Sequence, residues 1–505
     1  MLAKVYTAAV IGMDSKIVEV EVDIQKGLHK FSIVGLADKA IQESKERVTA
    51  AIKNSDSDFI SRRITVNLAP ADLPKSGPTY DLPIAIGILL CSGQLKFISD
   101  DKLFVGELSL EGKLRKINGI LSIADGAQKS SFKEIYVPIE NAKEAALIKG
   151  IDVYAIDNID QLVNHLSSIN KLSKVCFNPE SYEDKNNYIF DFSDIKGQQH
   201  AKRAMEISAA GGHNILLCGS PGSGKTLLAK SLPSILPRME VAESLEVSRI
   251  HSIAGLLPTR SPLITTRPFR SPHHTSSQIS LVGGGTFPHP GEISLAHRGV
   301  LFLDEFPEFS RQALEALRQP IEDKIVQISR ANASLEFPAN FMLIAAMNPC
   351  KCGWLGDVDK ECTCSQIEIN RYQRKISGPI LDRIDLQIDV PKVKYDKLLS
   401  SEQSESSDTI RTRVQNARNI QIKRYERIKI VCNSDLAQKD ISKFIILNTD
   451  CIQLIKKAVE RLNLSARGYF RVLRVSRTIA DLHQSENIST DHIAEALAYR
   501  INKEN

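Results

Sequence analysis

The sequence predicts an α/β nucleotide-binding protein built on a parallel sheet, with a second α/β domain ahead of it and a helical region behind. Three observations carry that expectation. A phosphate-loop octapeptide follows a strand-like run near the middle of the chain. An acidic pair closes a second apolar strand about eighty residues later, and the last hundred or so residues keep a helical period with almost no strand signal.

Residues 1–168 alternate β-like stretches (Ile17 to Val22, Ile64 to Asn67, Phe104 to Glu107, Glu134 to Val137) with helical ones such as Ile41 to Ile52, the pattern of an α/β or α+β domain. Residues 169–190 are polar and poorly patterned and read as a linker. The nucleotide domain spans 191–395. Ser400 to Thr409, rich in Ser and Glu, reads as an exposed loop near the start of the helical region, residues 396–505.

Asn214 to Cys218 reads as a buried parallel strand, and Gly219-Ser220-Pro221-Gly222-Ser223-Gly224-Lys225-Thr226 fills every position of G-x-x-x-x-G-K-[ST]. Such a turn aims backbone N–H groups and a helix start at one anion, so a nucleoside triphosphate, ATP, is the natural ligand. Lys225 is placed to reach the outer phosphates and Thr226 to hold Mg2+. The strand Val300 to Leu303 ends in Asp304-Glu305: Asp304 would bind the ion, directly or through water, and Glu305 would polarise the attacking water. Helix capping by Asp304 is the plainer alternative, since Pro307 stands near a new helix start. A third buried strand, Phe341 to Met347, ends at Asn348-Pro349, where Asn348 either holds that water or serves the turn.

Val247 to Gly291 contains no Asp or Glu, yet carries Arg249, Arg260, Arg267, Arg270 and four histidines. A segment of that charge suits phosphates, or is a solvated loop. Lys324 to Ser329 and Ser334 to Phe337 read as a hairpin with Arg330 at its tip. On its own residues Arg383, set between Asp382 and Asp385, reads as a local salt-bridge partner. Cys350, Cys352, Cys362 and Cys364 crowd four of nine cysteines into one short stretch, which suits a tetrahedral Zn2+ site; with all four ligands protein-derived, the ion would be structural.

Composition narrows the class. With 505 residues the chain has room for about three domains, and a net charge of +5 neither demands nor excludes nucleic acid. No apolar run approaches the roughly eighteen residues of a membrane span, and the N-terminus lacks a basic region followed by a hydrophobic core. The cytosol is therefore the expected compartment. An odd number of cysteines in a long chain does not resemble a secreted disulfide framework.

Phe31-Ser32-Ile33-Val34-Gly35-Leu36, Val66 to Pro74, Gly106 to Leu110, the phosphate loop, Met347-Asn348-Pro349-Cys350 and Arg474 to Leu482 together resemble the magnesium-chelatase-like AAA+ ATPases of the ComM/YifB family, nearly end to end. The resemblance implies an N-terminal domain similar to the protease domain of Lon, an AAA+ core and a helical lid. It also implies a hexameric ring that hydrolyses ATP and drives branch migration of DNA, branched or single-stranded, during recombination in natural transformation. By the same resemblance Asn348 is sensor 1, Arg383 the arginine finger, and Arg467 sensor 2, with Arg471 the alternative. The acid-free segment corresponds to a helix-2 insert whose Arg267 and Arg270 would meet DNA, and Arg330 tips the hairpin preceding sensor 1.

Proteolysis does not follow from the Lon likeness. The places of the serine and lysine hold Thr79-Tyr80-Asp81-Leu82-Pro83 and Ile120-Leu121-Ser122-Ile123. A chelatase-type motor subunit inserting magnesium into a porphyrin is the runner-up; the Lon-like domain and the cysteine cluster stand against it. Because the cluster follows sensor 1 without contacting ATP, Cys352→Ser is expected to lower stability more than it changes nucleotide affinity.

Overall fold

Hydrophobic alternation builds two sheets in succession. The computed structural model describes residues 2–36, 38–177, 188–259, 261–285, 288–330, 333–357, 359–393, 404–428, 430–462 and 464–500. In the first domain β1 (Leu2–Ile11) and β2 (Asp14–Gln25) form an antiparallel hairpin turning at Gly12, whose φ of 60° favours glycine. With β3 (Lys30–Val34), β4 (Arg63–Ala69), β5 (Lys102–Phe104), β6 (Glu134–Pro138) and β7 (Asp152–Ile156) they complete a mixed seven-stranded sheet in the order β3-β4-β2-β1-β5-β6-β7. Val18, Val20 and Val22 of β2 and Ile64, Val66 and Leu68 of β4 are fully buried, the period-two pattern of strands laid on a core. That core is closed by α1 (Lys39–Lys53), started by the Asp38 carboxylate accepting from the Ile41 N–H, and by α2 (Asp81–Cys91). The helix α3 (Ile120–Lys129) joins the other core.

Two sequence expectations change here. The strand expected over Phe104 to Glu107 is divided: β5 ends at Phe104, and Glu107–Leu108 pairs with Leu114–Arg115 in a separate ribbon. The stretch read as a linker begins packed, with Leu172 and Val175 against the first domain and the Val175 N–H donating to the Val153 carbonyl; residues 178–187 lie outside the described residues. At the Lon-like positions Tyr80 is buried and the Ser122 hydroxyl donates to the Met13 carbonyl, so both serve packing.

The second domain runs through α4 (Gln199–Gly211), β8 (Ile215–Cys218), α5 (Lys225–Ser231), α6 (Val241–Ile253), β9 (Phe269–Arg270), β10 (Val300–Leu303), β11 (Ile325–Arg330), β12 (Ala333–Pro338), β13 (Met342–Met347), α7 (Gln366–Gln373) and β14 (Leu386–Asp389). Five strands form an all-parallel sheet in the order β9-β10-β13-β8-β14. Val300 and Phe302 enter one core while Leu301 and Leu303 enter the other. Burial on both faces explains the unbroken apolar run. The β11–β12 hairpin matches the expected pair of strands. Arg330 is the last residue of β11; its side chain and the turn residues Ala331 and Asn332 lie outside the described residues.

The acid-free segment is partly spent on joining the domains. Arg249 of α6 pairs with Asp125 at 2.9 Å, the Gly119 N–H donates to the Ser252 carbonyl, and Leu263 packs with Leu121 and Leu147. Arg260 lies outside the described residues.

In the C-terminal region α8 (Ser407–Tyr425), α9 (Thr449–Arg461), α10 (Ala466–Leu482) and α11 (Thr490–Ala498) are the main helices. The loop expected over Ser400 to Thr409 is shorter, because α8 begins at Ser407, whose hydroxyl accepts from the Phe192 N–H; residues 400–403 lie outside the described residues. Among the described residues no helix is long and apolar enough to cross a membrane. The lid is tied to the core by Arg471, which meets the buried Asp385 at 2.8 Å. Burial works against the Asp385 charge, yet Arg471 and His213 hold its carboxyl well below the usual carboxylate range. A depressed carboxyl stabilises the fold above its unfolded value of about 3.9 and loses that contribution as pH falls toward the folded value. Asp385→Asn is expected to lower unfolding free energy by about 3 kcal/mol, read from the urea midpoint at neutral pH, with the difference from the parent shrinking in acid.

Candidate nucleotide site

The site sits where the parallel strands end. Cys218 of β8 is in register with Met347 of β13, and the Gly219 N–H donates to the Met347 carbonyl, so the phosphate loop leaves the sheet beside Asn348. Gly222 and Gly224 have φ of 79° and 90°, the left-handed backbone that turns successive N–H groups toward one anion. At Gly219 a Cβ would stand 2.3 Å from the Val390 carbonyl oxygen. Glycine is required there by contact rather than by φ.

Lys225 is buried and donates to the Gly219 carbonyl at 2.7 Å, the Ser220 carbonyl at 3.0 Å and Asn348 Oδ1 at 3.3 Å. Burial pushes its ammonium below the ordinary lysine value, and the Asp304 charge opposes the shift. The Thr226 hydroxyl donates to Asp304 Oδ2 at 2.9 Å, and the Glu305 N–H donates to Asp304 Oδ1 at 2.9 Å. Glu305 holds φ 52°, a costly conformation for a residue with a side chain, and its carboxylate is 56% exposed with His274 Nδ1 2.9 Å away. Lys225, Thr226, Asp304, Glu305 and Asn348 thus line one rim. A hydroxyl beside a carboxylate could hold a hard cation, a lysine in a nest of amides could bind phosphates, and an exposed carboxylate could activate water.

The arginines are elsewhere. Arg383 is buried at the opposite end of the sheet, just before β14: its carbonyl accepts from the Asn214 side chain, one residue ahead of β8, and its guanidinium reaches Glu322 at 2.7 Å and the Pro379 carbonyl. Arg467 meets the same Glu322 at 3.3 Å. Neither side chain shares the rim of Lys225 within one chain. Two residues expected to meet DNA are occupied internally. Arg267 is 12% exposed, bonded to Glu243 at 2.9 Å and to the Pro237, Arg238 and Arg298 carbonyls; Arg270 forms a two-pronged pair with Glu292 at 2.7 Å. Their partners, Glu243 and Glu292, flank the acid-free stretch, so local composition hid the neutralisation. The expectation of free phosphate-binding charge at Arg267 and Arg270 is corrected on that ground.

The four cysteines converge. Cys350 Sγ lies 3.4 Å from Cys352 and 3.6 Å from Cys362, Cys352 lies 3.5 Å from Cys362, and with Cys364 all four sulfurs fall within 4.8 Å of one another. A tetrahedral thiolate site with metal–sulfur bonds of about 2.3 Å needs sulfurs roughly 3.8 Å apart, so the set fits zinc.

Family profiles match three stretches of the chain: subunit ChlI of Mg-chelatase over residues 20–141, magnesium chelatase subunit ChlI over 191–398, and the ChlI C-terminal domain over 404–500. Competence protein ComM of Haemophilus influenzae is 43% identical across 99% of this chain and 97% of its own length. The chain belongs to the ComM/YifB family of magnesium-chelatase-like AAA+ ATPases. Another ComM/YifB relative, the uncharacterized YifB of Escherichia coli, is 41% identical over 99% of this chain and 97% of its own length. DNA helicase MCM8 of Rattus norvegicus is more distant, at 27% identity over 49% of this chain and 26% of its own length.

Within this ComM/YifB fold, sequence reasoning missed His274 and Glu322. His274 had a signal, since a histidine pair inside an acid-free stretch is available to a carboxylate. Glu322 had none; its partners Arg383 and Arg467 come from distant parts of the chain. Removing the Lys225 ammonium strips the loop of its internal charge. Lys225→Ala is expected to weaken binding of a fluorescent ATP analogue by tenfold or more, on the order of 1.5–3 kcal/mol for a hydrogen bond to a charged group, with circular dichroism unchanged.

Proposed function

We propose that this protein is an ATP-dependent DNA motor working in the cytosol as a homo-hexamer, with branch migration of recombining DNA as its task. The observation that carries the reading is the division of the site. Lys225, Thr226, Asp304, Glu305 and Asn348 occupy one rim of the parallel sheet, while Arg383 and Arg467 stand at the opposite end around Glu322. A site divided in this way is completed by a second copy packed head to tail, which is the arrangement of a ring. Lys225 takes the outer phosphates. Thr226 and Asp304, the latter directly or through water, would hold a magnesium ion, which would supply charge neutralisation at the phosphates. Glu305 accepts a proton from the attacking water while Asn348 holds it in line. Arg383 of the neighbouring copy gives up Glu322 for the charge that develops on the transferred phosphoryl group, and Arg467 assists from the same side.

DNA as the track is supported by the competence protein ComM and DNA helicase MCM8 among the relatives, and by the acid-free exposure of the segment after Arg270. With Arg267 and Arg270 occupied, Arg330 at the hairpin end is the remaining candidate contact from the sequence. Thr226 and Asp304 are the magnesium ligands, and Cys350, Cys352, Cys362 and Cys364 hold a structural zinc. The family profiles carry a chelatase description, so a porphyrin-inserting motor subunit is the second reading. ATPase activity that depends on porphyrin and a partner subunit would favour it.

Purified protein is expected to hydrolyse ATP faster with single-stranded or four-way-junction DNA, through binding that weakens steeply with salt. No stimulation at low salt sinks the DNA reading. Glu305→Gln should lower kcat by about 10²–10⁴ while keeping ATP binding. Arg383→Ala and Lys225→Ala should each be inactive alone and recover part of the ATPase rate when mixed, because each supplies the half that the other lacks; no recovery on mixing contradicts a shared site. Metal analysis of protein purified without chelator should find one zinc per chain.

A further inference from the structure

The cysteine loop leans on the phosphate loop. At Gly353, φ 86°, a Cβ would stand 2.7 Å from Pro221 Cδ. The Asp357 carboxylate, only 2% exposed, lies near the Ser220 side chain, accepts from the Asp359 and Lys360 N–H groups and pairs with Lys392 at 3.0 Å. Burial works against its charge, but the bond from Lys392, with the nearby Ser220 hydroxyl, brings the carboxyl down to about 2, so it is ionised at neutral pH. Trp354 lies between Lys360 and Lys392, whose ammonium groups sit 4.4 Å and 4.5 Å from the ring centre. Lys392 closes the circuit: it follows β14, where the Val390 N–H donates to the Cys218 carbonyl directly before the phosphate loop.

Between Cys350 and Cys364 the described residues form no helix or strand. What gathers this stretch is the convergence of its four thiols, aided by local turns such as the Gly353 N–H donating to the Cys350 carbonyl. The stretch nevertheless supplies the contacts to Ser220 and Pro221, the second and third residues of the octapeptide. A phosphate loop binds well when its amides are already aligned, and a rigid brace removes the cost of ordering them.

We propose that the cysteine loop is the outer wall of the nucleotide pocket, and that zinc on its four thiolates holds the phosphate loop ready for a nucleoside triphosphate, so that metal occupancy sets nucleotide affinity. The inference rests on the nucleotide and zinc assignments above. It departs from the sequence expectation that Cys352→Ser would act on stability more than affinity, because a cluster that does not itself touch ATP still leans on the loop that would hold it. Gly353 and Asp357 act as positioning residues.

The test uses the full-length chain, a fluorescent ATP analogue with magnesium, and zinc counted by mass spectrometry. Asp357→Ala keeps all four thiols and should retain zinc while binding the analogue about tenfold more weakly, the size of one hydrogen bond to a charged group. Gly353→Val should act in the same direction. Chelator-stripped parent protein should lose a similar factor and regain it when zinc is restored. Parent-like affinity in Asp357→Ala, or in stripped protein whose circular dichroism is unchanged, overturns the proposal. Parent protein isolated without metal overturns the zinc assignment and the metal dependence together. A parent that binds no analogue overturns the nucleotide site itself, so the three failures are distinguishable.

Discussion

The pairing of β8 with β13 on one side and β14 on the other is the constraint from which the rest follows. Because these strands run parallel and in register, Cys218, Met347 and Asp389 finish side by side. Their C-terminal ends therefore deliver the phosphate loop and Asn348 to one edge, and β10, one strand further, brings Asp304 and Glu305 there as well. The same geometry sends whatever precedes the strands to the far edge, where Asn214, Arg383 and Asp385 gather. One sheet thus makes two unlike surfaces, an anion-receiving rim and an arginine-bearing one. Hydrophobic burial on both faces keeps the register from slipping, since a one-residue shift would turn Val300 and Phe302 into the wrong core.

Charge is handled differently at the two edges. Lys225 is drawn into a partly dry pocket against carbonyl oxygens, which costs solvation and leaves its charge with little competition from water. At the other edge the arginines are matched with carboxylates, Arg383 and Arg467 with Glu322 and Arg471 with Asp385. The buried Arg471–Asp385 pair is structural. Glu322, by contrast, remains 41% exposed, and a pair open to solvent on one side exchanges partners at small cost.

Much of this was readable from residue order. The octapeptide, the apolar strands and the acidic pair depend on local pattern, and a buried parallel strand announces itself by an uninterrupted apolar run. Short elements defeated the same reasoning: Phe104 to Glu107 looks like one strand because nothing local tells Val105 and Gly106 to leave the sheet. Neutralisation across the fold was also invisible. Arg267 and Arg270 read as free charge in a stretch without acids, yet Glu243 and Glu292 stand just outside its two ends. His274 beside Glu305 and Asp357 beside Ser220 join positions that only the folded chain makes neighbours.

The cysteine loop shows how little regular structure is needed to place a few side chains when sulfur chemistry gathers the chain. Trp354, with the ammonium groups of two lysines within 4.5 Å of its ring centre, is the single tryptophan of all 505 residues. Its emission therefore comes from one known point in the cysteine loop, so quenching or spectral displacement would report on that loop alone in unlabelled protein.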